Sequence, residues 1–159
     1  MWKYLVVPDR LPPLVEPGRL SGMTELSPAT APPLRTDEDV ARRVAALIGC
    51  ATGNDKLWLL FVDGDDRQAP VVVPVDELPG PPDGEMVMSL GDVLEGILPD
   101  LATAAGAGSV VFVRERLGPD FVLPADRAWA EALATMCRER EIRSRGVHLS
   151  TRGMTKRIS

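Results

Sequence analysis

The sequence has one histidine, His148, and two cysteines, Cys50 and Cys137. Any Ser-His-Asp or Cys-His nucleophile would have to be built on His148. That residue falls in a predicted strand, with Val147 and Leu149 directed to the opposite side. None of Ser144, Ser150 or Thr151 sits in a nucleophile elbow, so a partly exposed strand histidine is expected. The cysteines are too far apart in sequence for a zinc knuckle or a redox pair. Each falls on the apolar stripe of a predicted helix, where a reduced, buried thiol acts as a small hydrophobe. Aromatic residues make up only 4% of the chain, so the core must rest on Val, Leu, Ile and Ala. The longest apolar runs, 57–62 and 70–75, fall far short of the ~20 residues of a membrane-spanning helix. The apolar start Leu5-Val6-Val7 is cut off by Pro8, Asp9 and Arg10 before a signal-peptide core can form. A cytoplasmic protein with no membrane partner is therefore expected. Walker and Gly-x-Gly-x-x-Gly patterns are missing. The Gly/Ala-rich stretch 104–108 follows a helix and precedes a strand, the reverse of a dinucleotide-binding turn. No cofactor is expected.

Prolines, by contrast, are concentrated. Seven of them fall within residues 8–35, which forbids regular structure there. The expectation is a flexible arm over 1–35 and one domain over 36–159, a size that suits a single core. Met23 offers an internal start, which would make residues 1–22 an upstream extension; N-terminal sequencing of the native protein tests this.

Thr36-Asp37-Glu38-Asp39 has the form of a capping box, and Val40, Val44, Leu47 and Ile48 follow at helical spacing. This predicts a helix over 37–50. Valine-rich runs at 57–62 and 69–75 flank Asp63-Gly64-Asp65-Asp66, which predicts a hairpin. The aspartates lack the further ligands and the terminal Glu of an EF-hand loop, so a turn is expected there. After a loop at 76–88, Ser89-Leu90-Gly91-Asp92 repeats the capping pattern and opens an apolar-faced helix that Pro99 kinks or splits. A buried strand at 109–113, a loop at 114–123, a helix from Pro124 to about 140, and strands at 143–150 and 154–158 complete the chain. The order α-β-β-α-β-α-β-β predicts an α/β fold, a single mixed sheet with about three packed helices.

Residues 109–150 resemble the core of the RadC-like branch of the JAB (MPN) metalloprotease fold. In that family a buried strand runs into His-x-His-Pro-Ser-Gly, and a short loop leads to a helix that opens near a metal-binding Asp, followed by another strand. Here Arg114-Glu115-Arg116-Leu117-Gly118-Pro119 stands at the histidine motif, Pro124-Ala125-Asp126 at the helix start, and Gly146-Val147-His148-Leu149 in the following strand. The hairpin 57–75 also fits the family's order. The resemblance implies metal-site positions at Arg114, Arg116 and Asp126. A guanidinium cannot bind a cation, so it implies a catalytically silent relative with no catalytic or metal residues of its own. Asp126 is also read plainly as an acid in a helix's first turn.

Charge is unevenly spread. Residues 138–157 hold seven basic side chains (Arg138, Arg140, Arg143, Arg145, Arg152, Lys156 and Arg157) against Glu139 and Glu141, so this segment is +5 while the whole chain is −5. Such a segment could meet an anionic partner. Three functions are carried forward: a non-catalytic module that binds a protein through its sheet edge or this basic surface; nucleic-acid binding by the same segment, which lacks aromatics for base stacking; and a divergent metal-dependent hydrolase using Asp126, Glu115 and His148.

Overall fold

The capping box at Thr36 forms as the sequence predicts. The Asp39 N–H donates to Thr36 Oγ1 at 3.1 Å and the Thr36 N–H to Asp39 Oδ2 at 2.9 Å, opening helix α1, Asp37–Leu47. The computed structural model describes residues 5–6, 27–53 and 55–159. The remaining elements, in chain order, are β1 (Leu5–Val6), β2 (Lys56–Val62), β3 (Gln68–Val75), α2 (Gly84–Ile97) with a 3-10 turn at Leu98–Leu101, β4 (Ser109–Glu115), α3 (Pro124–Glu139), β5 (Ser144–Ser150) and β6 (Thr155–Arg157). They build one mixed sheet in the order β1-β3-β2-β4-β5-β6. Only β4 and β5, joined through α3, run parallel; the other pairs are antiparallel.

Strand alternation sends side chains to two separate cores. Leu57, Leu59, Phe61, Val110 and Phe112 pack with Leu90 and Leu94 of α2 and Trp129 and Leu133 of α3. Leu60, Val62, Val111 and Val113 pack on the other face with Val40 and Val44 of α1. β4 is buried along its whole length, which is why it reads as a continuous apolar run rather than an alternation. The Asp63 turn is also as expected: Asp63 Oδ1 accepts the N–H groups of Asp65 at 2.9 Å and Arg67 at 3.0 Å.

Three differences matter. α2 starts before the Ser89 pattern, because Asp83 caps it by accepting the Glu85 N–H at 2.9 Å. β4 continues two residues past Val113, which places Arg114 and Glu115 in the strand. β5 carries an extra residue, since Val110 and Phe112 of β4 pair with Ser144 and Val147, and Gly146 takes φ 102° there. This bulge re-aims Arg145. The arm expected over 1–35 lies largely outside the described residues. Within it, Leu5 and Val6 pair with Val72 and Val71 of β3, and Ala31 and Leu34 are buried on the domain. No helix among the described residues is long and apolar enough to cross a membrane.

Candidate functional site

Alternation along β4, continued by the residue just past its end, puts Arg114 and Arg116 on the α3 side of the sheet and Glu115 on the α1 side. Pro124 starts α3 at its first turn, so Asp126 falls at the third helical position and points back at its own N-terminus. There it accepts the Leu123 N–H at 2.8 Å. The three side chains meet. Arg114 Nε donates to Asp126 Oδ1 at 2.8 Å, Arg116 Nε to Oδ1 at 3.0 Å, and Arg116 Nη2 to Oδ2 at 2.8 Å. Asp126 is fully buried and the two arginines nearly so. Burial alone raises the Asp126 pKa, but the hydrogen bonds from Arg116, Arg114 and the Leu123 N–H outweigh it and hold the carboxyl below its usual 3.8. One carboxylate thus faces two guanidiniums; Asp55 Oδ1 approaches Arg114 Nη2 at 3.9 Å from the half-exposed side.

The resemblance implies a metal at these positions, and the residues do not fit one. Guanidinium groups are donors without a free lone pair, and both Asp126 oxygens already accept these bonds. The cluster does structural work instead. Arg116 donates onward to the carbonyls of Leu117 at 3.2 Å, Pro119 at 2.9 Å and Phe121 at 2.8 Å. Asp120 in the same loop accepts from Thr151 Oγ1 at 2.7 Å and the Gly153 N–H at 3.1 Å. The loop between β4 and α3 is therefore tied to β4, α3 and the turn after β5. It holds Phe121 out in solvent at 63% exposure.

The hydrolase set of Asp126, Glu115 and His148 is not brought together. Asp126 lies on one face of the sheet, Glu115 and His148 on the other. Glu115 Oε1 accepts the Thr52 and Gly53 N–H groups at 2.7 and 3.1 Å, and Oε2 accepts Trp58 Nε1 at 2.8 Å. His148 is 1% exposed rather than partly exposed, because α1 covers that side of β5. Burial, and then Arg157, push its pKa down to about 4. Among the described residues no group of three His, Cys, Asp or Glu could hold a metal ion. Cys137 is buried as expected, and burial pushes its thiol up to about 11. Cys50 is exposed, a correction: α1 stops at Leu47 and Gly49 turns the chain at φ 62°, so Cys50 leaves the apolar stripe.

The basic segment does not form one surface. Arg145 is buried by the β5 bulge, where Nη2 donates to the Leu34 carbonyl at 2.5 Å and Nη1 to Asp66 at 3.3 Å. Arg140 pairs with Asp92 and Glu95 of α2 rather than with its neighbours in sequence. Arg157 pairs with Asp37 of α1. Arg138, Arg143, Arg152 and Lys156 remain exposed, but Arg143 and Arg152 flank opposite ends of β5, a strand about 20 Å long at strand rise. Arg145→Met is expected to destabilise by about 2 kcal/mol, since it strands a buried carbonyl and a carboxylate. Arg143→Met should stay within about 0.5 kcal/mol. Urea denaturation of the two variants checks this; equal effects would mean that Arg145 is no anchor.

A cleft between the end of β3 and the start of α2 is lined by Asp76, Glu77, Asp83 and Glu85 and takes in none of the candidate site residues. No family model, curated protein or solved structure matches the chain.

Proposed function

We propose that this chain is a non-catalytic domain of the JAB (MPN) type that works by binding another protein, with the loop between β4 and α3 as its contact. One observation carries the reading: the buried Arg114–Arg116–Asp126 cluster holds that loop by three carbonyl bonds from Arg116 and leaves Phe121 exposed at its tip. An exposed aromatic on a loop already fixed in place is the residue type that anchors interfaces, and pre-ordering lowers the entropy lost on binding. Side-chain chemistry at the three positions named by the resemblance supports the absence of hydrolytic metal chemistry, because two cationic donors stand where ligands would be needed. Scattering of the arginines, with Arg145 buried, disfavours the basic segment as a nucleic-acid track.

The test is crosslinked affinity capture from the native source with wild type, Phe121→Ser and the surface control Arg138→Ser. A partner held by wild type and the control but lost with Phe121→Ser is the expected result. Identical capture by all three removes the loop as the contact. Metal analysis of the purified protein runs alongside: stoichiometric zinc that disappears in Asp126→Asn would overturn the non-catalytic reading.

A further inference from the structure

His148 lies between the sheet and α1, and neither ring nitrogen has a hydrogen-bond partner among the described residues. Directly opposite it on β6 is Arg157. That guanidinium pairs with Asp37 in the first turn of α1 at 2.6 Å. The pair fastens the start of the helix to the sheet edge beside the imidazole. The other charged groups on this face are engaged: Glu115 on β4 by Thr52, Gly53 and Trp58, Arg145 on β5 by Asp66 and the Leu34 carbonyl, and Arg43 on α1 by Gln68 at 2.6 Å.

The α1 layer is also the thinner one. Its buried cluster has seven residues, of which only Leu34, Val40 and Val44 come from outside the strands; the cluster on the opposite face has eighteen. None of the eighteen residues of the α2–α3 cluster belongs to α1. Local opening of an element is expected where few apolar contacts hold it.

We propose that α1 is an acid-released cover: protonation of His148 detaches it from β5 and β6 and uncovers the sheet face that carries Leu60, Val111 and Val113. An imidazolium in the closed state would sit in a dry layer next to the Arg157 guanidinium, and Asp37, the carboxylate nearest to hand, already serves Arg157. Once α1 lifts, water solvates the ring and the repulsion is relieved. The proton therefore binds the open form better than the closed one. With the ring titrating at about 4 when covered and at its usual 6.5 when open, a fall from pH 7 to pH 5 raises the open-to-closed ratio about 20-fold. This device does not depend on the loop at Phe121.

Hydrogen exchange of the full chain at pH 7 and pH 5, corrected for the intrinsic rates, tests it. Amides of Val44 and Leu47 should open far more often than those of Leu59 and Phe112 at both pH values, and about 20-fold more often at pH 5 than at pH 7. In Arg157→Gln the helix should already be looser at pH 7, with a smaller response to acid. Two results overturn the proposal: α1 opening that does not change with pH, or α1 amides that exchange only together with the strand amides, which would make helix release part of global unfolding. The wild-type measurement decides even if a variant fails to fold.

Discussion

Asp126→Ala is expected to destabilise the fold by about 3–5 kcal/mol, because it leaves Arg116 buried without a counter-charge and Arg114 with only the half-exposed Asp55 at 3.9 Å. It also removes the acceptor for the Leu123 N–H at the start of α3. Asp126→Asn should lose less, since an amide oxygen still accepts two of the bonds but no longer neutralises the arginines. The triple replacement of Arg114, Arg116 and Asp126 by Met, Met and Leu is the informative control. It leaves no orphan charge, so most of the stability should return. The carbonyls of Leu117, Pro119 and Phe121 would still lose their donor, so the loop should loosen while the domain stays folded. Denaturant midpoints measure the first effect, and backbone order parameters at 117–123 the second. A loss below 1 kcal/mol for Asp126→Ala would mean that the arginines find water or other acceptors. A triple variant as unstable as Asp126→Ala would mean that packing rather than charge holds the site.

How far this site could be read from the chain depends on which step of the folding argument it needs. Helix α1 and the Asp63 turn rest on local hydrogen bonds between residues four or fewer apart, and both follow from the sequence pattern. The same is true of Pro124 and Asp126 as the opening of α3. On sequence grounds Arg114 and Arg116 fall in a loop, because charged residues end an apolar run. Their i, i+2 spacing, taken as a continuation of the strand, was the signal that both face one side with Glu115 on the other. Nothing local could say that Asp126 closes onto them, because that contact forms only when α3 folds back across β4 and β5. Arg145 and His148 illustrate a second limit. A strand with one face toward solvent and a strand covered on both faces differ only in what packs on them. The β5 bulge and the position of α1 bury these two residues, and both features arise from tertiary pairing. The exposed Cys50 is the converse case: a helix that stops three residues early releases a side chain that periodicity had assigned to the core.

The two faces of the sheet also divide the chemistry. On the α3 side the two guanidiniums of the cluster meet the Asp126 carboxylate and, through Arg116, three loop carbonyls, with Arg114 Nη1 left without a hydrogen-bond partner among the described residues, and the product is a fixed loop. On the α1 side a neutral ring is buried beside an ion pair whose side chains are 39% and 71% exposed. A site built on one hydrogen-bonded carboxylate between two guanidiniums resists change in pH until that carboxylate protonates. A buried, unpartnered imidazole responds as soon as the unfolded or open chain can take up a proton. Rigid display and acid sensitivity can thus coexist in one small domain without sharing residues.

Between pH 7 and pH 4 the whole fold should lose roughly 3 kcal/mol through His148 alone. The sign follows from the direction of the shift. The folded pKa is depressed from 6.5 to about 4, so below 6.5 the unfolded chain binds the proton first, and acid favours unfolding. The contribution is fully present above pH 6.5, falls steadily to pH 4, and levels off below. Asp126 acts in the next window. Its folded pKa lies below 3.8, so its stabilisation is present above that value and is lost as the pH falls toward the folded pKa. Asp39 and Asp120, both lowered by hydrogen bonds to their carboxylates, work in the same direction as Asp126. His148→Phe should therefore flatten the stability profile between pH 6.5 and pH 4 and leave the steeper acid limb in place. At pH 7 it should be within about 1 kcal/mol of wild type, because it replaces an imidazole that has no hydrogen-bond partner among the described residues with an apolar ring. Urea midpoints at half-unit pH steps read both windows. A wild-type profile that is flat from pH 7 to pH 4.5, or a His148→Phe profile that follows wild type through that range, would show that the ring is solvated in the folded state and that α1 covers it too loosely to exclude water.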